Sequence, residues 1–102
     1  MITGFSSPAA GYEDNHLDLN SLLIKHPNAT SLMQVESNHY RNMGIYPNDI
    51  LIIDRALTVK NDSLVVYEED GKFVLGRVFN IKHETIIAGV IVHVIHTVRG
   101  IL

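Results

Sequence analysis

The sequence predicts one mainly β domain with a single short helix near its N-terminus, and three observations carry that prediction. Asp70-Gly71 stands between two strand-like runs, Ser63 to Glu69 and Lys72 to Phe79. Both central positions of the favoured hairpin turn need positive φ, which Asp and Gly tolerate. Ile50-Leu51-Ile52-Ile53 is a short continuous apolar run, the pattern of a strand buried on both faces. The stretch Thr85 to Arg99 is dominated by Ile and Val, and Gly89 is placed to mark a bulge or bend in a long strand.

Taken in order, residues Met1 to Asn15 are rich in Gly, Ser, Pro and Ala without apolar periodicity, and read as an extended arm. Residues 16–102 read as the globular core. Asp18 is positioned to cap a short helix carrying Leu19, Leu22 and Leu23, and Pro27 disfavours helix at His26, so the helix is expected to end near Lys25. Met33 and Val35 alternate with Gln34 and Glu36, which predicts a half-exposed strand leading into a loop over Ser37 to Asn42. Pro47-Asn48-Asp49 is turn chemistry before the apolar run.

At 102 residues the chain has room for one core and therefore one domain. Its apolar content and a formal net charge of −3 are those of a globular domain, and the acidic balance argues against a direct grip on a phosphate backbone. No direct sequence-specific nucleic-acid binding is expected. The absence of cysteine excludes a disulfide scaffold, a thiolate metal site and a cysteine nucleophile, and points to the cytoplasm. The longest apolar stretch, Thr85 to Val98, is too short to span a bilayer and contains His93 and His96, so no membrane segment is expected.

Several pieces of this chain, in this order, resemble the C-terminal domain of the LexA/UmuD family of self-cleaving peptidases, and most closely its UmuD-like members. They are Gly4-Phe5-Ser6-Ser7-Pro8-Ala9-Ala10, Asp18 to Pro27, Gly44-Ile45, Asp49 to Asp54, Asp70-Gly71-Lys72-Phe73 and Gly89 to Ile95. The resemblance covers nearly the whole chain and implies a small, curved, partly open barrel-like β domain. It also implies a homodimer that serves error-prone translesion synthesis in the SOS response by binding a Y-family DNA polymerase and the RecA filament. No cofactor is implied.

In that family a serine in a Gly-Asp-Ser-Met-like turn attacks the chain's own backbone, with lysine as general base. Lysine acts this way only if burial leaves it neutral, so both groups must be present and adjacent. Counting back from Gly44-Ile45 places His39 at the serine position and Tyr40 at the methionine. Counting forward from Gly71-Lys72-Phe73 places Gly76 at the lysine position. Arg77 is expected on the opposite face of its strand and stays protonated near neutral pH. Lys72 shares a face with Gly76 but lies roughly 13 Å along the strand, too far to substitute. Ser37 remains a fallback nucleophile if the loop is slipped by two residues, but it lacks an identifiable base; the alternative is a loop hydroxyl bonded to nearby backbone. The family's cleavage junction falls at Thr3 and Gly4, with Thr3 where the family carries cysteine or alanine, and only two residues stand before it. The resemblance thus implies a chain in the processed form without the catalytic dyad. Between Arg77 and Thr85 the chain is shorter than the family's usual excursion by about a strand.

Other candidates carry less. His93 and His96, three apart on a predicted strand, face opposite sides, and His16, His26, His39 and His83 have no ligand spacing, so no metal site is expected. Glu68-Glu69-Asp70 reads as a solvated hairpin tip or a contact for a basic partner. The four tyrosines do not interleave with basic residues as a single-strand-binding array would. The Ile and Val run leaves apolar strand surface or an edge to cover, for which a symmetric dimer is the common solution. Phe5 and Tyr12 of the arm, with Ile91, His93 and Ile95 of the final strand, are the expected partner contacts. The sequence therefore predicts a catalytically inactive accessory subunit. The alternatives are a decoy that heterodimerises with an intact relative and, further off, a residual self-peptidase using Ser37.

Overall fold

The computed structural model describes residues 18–82 and 84–99. The expected arm, with Thr3, Gly4, Phe5 and Tyr12, lies outside the described residues, as do His16 and His83. Among the described residues, five strands follow a short helix, α1 (Leu19–Leu23): β1 (Thr30–Gln34), β2 (Ile50–Asp54), β3 (Leu64–Glu69), β4 (Lys72–Arg77) and β5 (Ile87–Ile95). Every neighbouring pair is antiparallel, and the order across the single open sheet is β1-β2-β5-β3-β4. The mainly β expectation holds, with β1 and β4 as the two edges.

Asp18 caps α1 as expected: its Oδ1 accepts the backbone N–H groups of Asn20 at 3.0 Å and Ser21 at 3.4 Å, and its Oδ2 accepts the Ser21 hydroxyl at 2.9 Å. The helix ends at Leu23, two residues short of the expected boundary, and Pro27 opens a 3-10 turn over Pro27–Ala29. Tyr46 to Asp49 form a turn closed by the Asp49 N–H on the Tyr46 carbonyl at 3.1 Å, with Pro47 second and Asn48 third at φ 74°. The Asp70-Gly71 hairpin also holds, with φ of 54° and 77° at its two central residues.

β2 is a central strand, and Leu51, Ile52 and Ile53 are all at most 3% exposed, which accounts for its unbroken apolar sequence. Leu51, Ile53, Val66, Leu75, Ile91, Val35 and Ile45 form the core. The final strand is shorter than the apolar run that predicts it, covering Ile87–Ile95. Its pairing slips by one residue twice, once opposite Ile52/Ile53 and once opposite Val66/Tyr67. The second slip leaves Ala88 unpaired beside Gly89, so the expected irregularity is present one residue earlier. Gly89 is needed for a different reason, since a Cβ there would lie 2.5 Å from Ile53 Cγ2 and 3.1 Å from Arg55 Cγ. The stretch after Arg77 forms a 3-10 turn over Val78–Asn80 that returns toward β5. Among the described residues, no helix is long and apolar enough to cross a membrane.

Candidate functional site

The open sheet leaves a seam where β1 runs into its following loop on one side and β4 stands on the other. A cleft of about 300 Å³ occupies this seam, lined by Met33, Val35, Ser37, Tyr40, Phe73 and Leu75 and reaching Leu51 in the core. Apolar side chains from two edge strands make its walls, and Phe73, 56% exposed, stands at its rim. One side chain links the walls: the Tyr40 hydroxyl accepts the backbone N–H of Leu75 at 3.3 Å. That bond gives the edge of β4 a partner that no neighbouring strand supplies.

His39 sits in the exposed loop before the 3-10 turn Arg41–Met43. Its ring meets Tyr40 edge-on with centroids 5.5 Å apart, and its backbone N–H donates to Ser37 Oγ at 3.0 Å. Ser37 is therefore a turn-forming hydroxyl, and among the described residues no other hydrogen bond reaches it. The loop ends at Gly44, whose φ of 77° and N–H bond to the Arg41 carbonyl at 3.0 Å close the 3-10 turn.

Gly76 lies on β4 next to Leu75, so the Tyr40 bond brings the loop of His39 against the strand of Gly76. A Cβ at Gly76 would stand 3.3 Å from Cε1 and 3.6 Å from the hydroxyl of Tyr67. Burial pushes the Tyr67 phenol above its ordinary value of 10.0, and the Glu69 charge and Tyr40 push it further. Arg77 is turned away into the β3 approach, where its Nη1 donates to the Asp62 carbonyl at 2.9 Å.

Two side-chain pairs that sequence reasoning missed bracket β2. Asp49 and Asp54 are 1% and 3% exposed and flank the apolar run. His96 Nδ1 lies 2.6 Å from Asp49 Oδ1, and His26 Nδ1 lies 2.6 Å from Asp54 Oδ2. Burial raises the Asp49 pKa, but the Tyr46 N–H on Oδ2 at 2.8 Å and the hydrogen bond and charge of His96 outweigh it, leaving the carboxyl below its ordinary 3.8. For Asp54 the His26 hydrogen bond is the main lowering influence, opposed by burial and helped by the N–H groups of Ala56 and Leu57 and the His26 charge. An ionised carboxylate only accepts, so each ring nitrogen is the donor. The one signal available in sequence was an aspartate at each end of an otherwise apolar strand, where a buried charge requires a partner. His96 also lies 5.4 Å from the Tyr46 ring, over which Arg41 stacks at 5.5 Å.

The expected partner contacts on the final strand divide. Ile91 is a correction: it is 9% exposed and belongs to the chain's own core, because β5 is central rather than an edge. His93 is half-buried opposite Ile52, while Val94 and Ile95 are exposed at the strand's end. His93 and His96 do not meet, and among the described residues no three metal-ligating side chains gather in one place.

A family model described as Peptidase S24-like matches residues 2–88. Protein SamA of Salmonella typhimurium (strain LT2) is 35% identical over 74 residues, covering 72% of this chain and 53% of that protein. Protein MucA of Escherichia coli is 38% identical over 66 residues, covering 65% and 45%. Protein ImpA of Shigella flexneri is 32% identical over 114 residues, covering 94% and 79%. The chain thus spans about half the length of SamA and MucA and most of that of ImpA.

Proposed function

The chain is a UmuD-like member of the Peptidase S24-like family, and from that premise we propose that it is a non-enzymatic subunit acting by protein binding in SOS-induced translesion synthesis. One observation carries the reading. Counting from Gly44-Ile45 and from Gly71-Lys72-Phe73 puts His39 and Gly76 at the family's nucleophile and base positions, the first an exposed loop residue and the second a residue without a side chain. Acyl transfer through this dyad requires a hydroxyl whose proton passes to a neutral amine, and neither group is present there. Ser37, the fallback nucleophile, is engaged with the backbone N–H of His39 and, among the described residues, has no base as a hydrogen-bond partner.

The family resemblance implies a Y-family polymerase and the RecA filament as partners. The cleft in the seam, where Gln34 and Glu36 join the apolar walls, and the exposed end of β5 at Val94 and Ile95 are among the described surfaces suited to protein contact. The test is co-purification with a Y-family polymerase expressed in the same cell, and stable capture is the expected result. Preferential pairing with an intact UmuD-like or LexA-like relative, without polymerase, would favour a decoy instead. Peptidase function is tested by incubating the chain with a cleavable family substrate at alkaline pH. No product is expected, and product that disappears in Ser37→Ala would overturn the non-enzymatic reading.

A further inference from the structure

We propose that Tyr67 fills the place of the family's lysine base, so that Gly76 and Tyr67 form a matched small-for-large pair and the base position is closed as well as empty. This rests on reading His39 and Gly76 as the dyad positions. In the β3/β4 ladder Tyr67 stands opposite Val74 and Val65 opposite Gly76, which puts Tyr67 and Gly76 diagonally on one face. The three atoms nearest to a Cβ at Gly76 all belong to Tyr67: Cε1 at 3.3 Å, the hydroxyl at 3.6 Å and Cζ at 3.8 Å. A lysine there would have to run three further methylenes and its ammonium outward from that Cβ through or around the ring. Gly76 and Tyr67 are both half-buried, and at 3.3 Å the ring has to give way to admit the added side chain.

The ring does not inherit the lost chemistry. A serine attack needs its Oγ proton to pass to a neutral base as the new bond forms, and near neutral pH the Tyr67 phenol is already protonated. Its hydroxyl can donate a hydrogen bond but cannot take that proton. The empty base position is therefore tied to the Tyr67 ring on the neighbouring strand, and restoring the serine and lysine alone sets the lysine against that ring.

The test is a double-mutant cycle on the full chain with Gly76→Lys and Tyr67→Ala, read as thermal midpoints. Gly76→Lys is expected to lower the midpoint by several degrees more with Tyr67 present than in the Tyr67→Ala background; equal shifts would overturn the pairing. A second arm uses a fluorophosphonate probe, which labels a serine whose proton can leave. His39→Ser with Gly76→Lys is compared with the same pair plus Tyr67→Ala. At least tenfold faster labelling of the triple variant is expected, and equal labelling of the two would overturn the proposal. Labelling of neither, with the stability coupling present, would count against positions 39 and 76 as the dyad and not against the Tyr67 pairing.

Discussion

Asp49 and Asp54 show how much a single residue can hold at the two ends of one strand. Each carboxylate is buried, each accepts a backbone N–H, and each is closed by a histidine from a distant segment. Both carboxyls are held below their ordinary 3.8, so in the folded state they bind protons less readily than in the unfolded chain. Their contribution is complete above about pH 4 and is lost as pH falls through the lowered folded values. Urea midpoints measured downward from about pH 5 are expected to decline, and to decline less steeply in Asp49→Asn with Asp54→Asn; an unchanged slope would refute the linkage. The Asp18 cap was legible because its partners are two and three residues away. The histidine pairs were not, because their members are 28 and 47 residues apart and only the folded sheet brings them together.

Elements were legible where local chemistry decides them and less so where tertiary packing does. The Asp70-Gly71 hairpin and the Pro47-Asn48 turn follow from residues that accept positive φ. The ends of β5 do not, since hydrophobic composition continues to Val98 while pairing with β2 stops at Ile95. The three 3-10 turns are too short to leave a periodic signal. Gly89 was expected to mark a bend, and its stronger constraint is space against Ile53. Gly89→Ala is therefore expected to destabilise the fold by about 1–3 kcal/mol in a urea titration, the cost of overpacking a buried site. Tyr40→Phe removes the acceptor that the loop offers to β4. The loss is expected to be about 0.5–1.5 kcal/mol, with faster hydrogen exchange at the Leu75 amide as its specific sign.

At the scale of the molecule, the same open sheet both makes the fold and leaves the cleft. A closed barrel would pair β1 with β4; here the two edges stay apart and a loop with one tyrosine spans the gap. Leu51 reaches from the core to the floor of this seam, and Leu51→Ala is expected to cost about 2–5 kcal/mol, measured by denaturant unfolding. The fold class could be read from composition and turns. Strand order could not, and that is why Ile91 was expected at a surface and is found in the core.

The position of β5 between β2 and β3 also means that strands distant in sequence must meet before the sheet is whole. The first four strands alone make two separate antiparallel pairs, β1 with β2 and β3 with β4, and isolated pairs are marginal in water. The strand that joins them comes after both pairs in the sequence. Without residues 87–95 between them, the two pairs leave Leu51, Ile53 and Val66 short of the neighbours that bury them, so the strand at 87–95 is what couples two marginal halves into one domain.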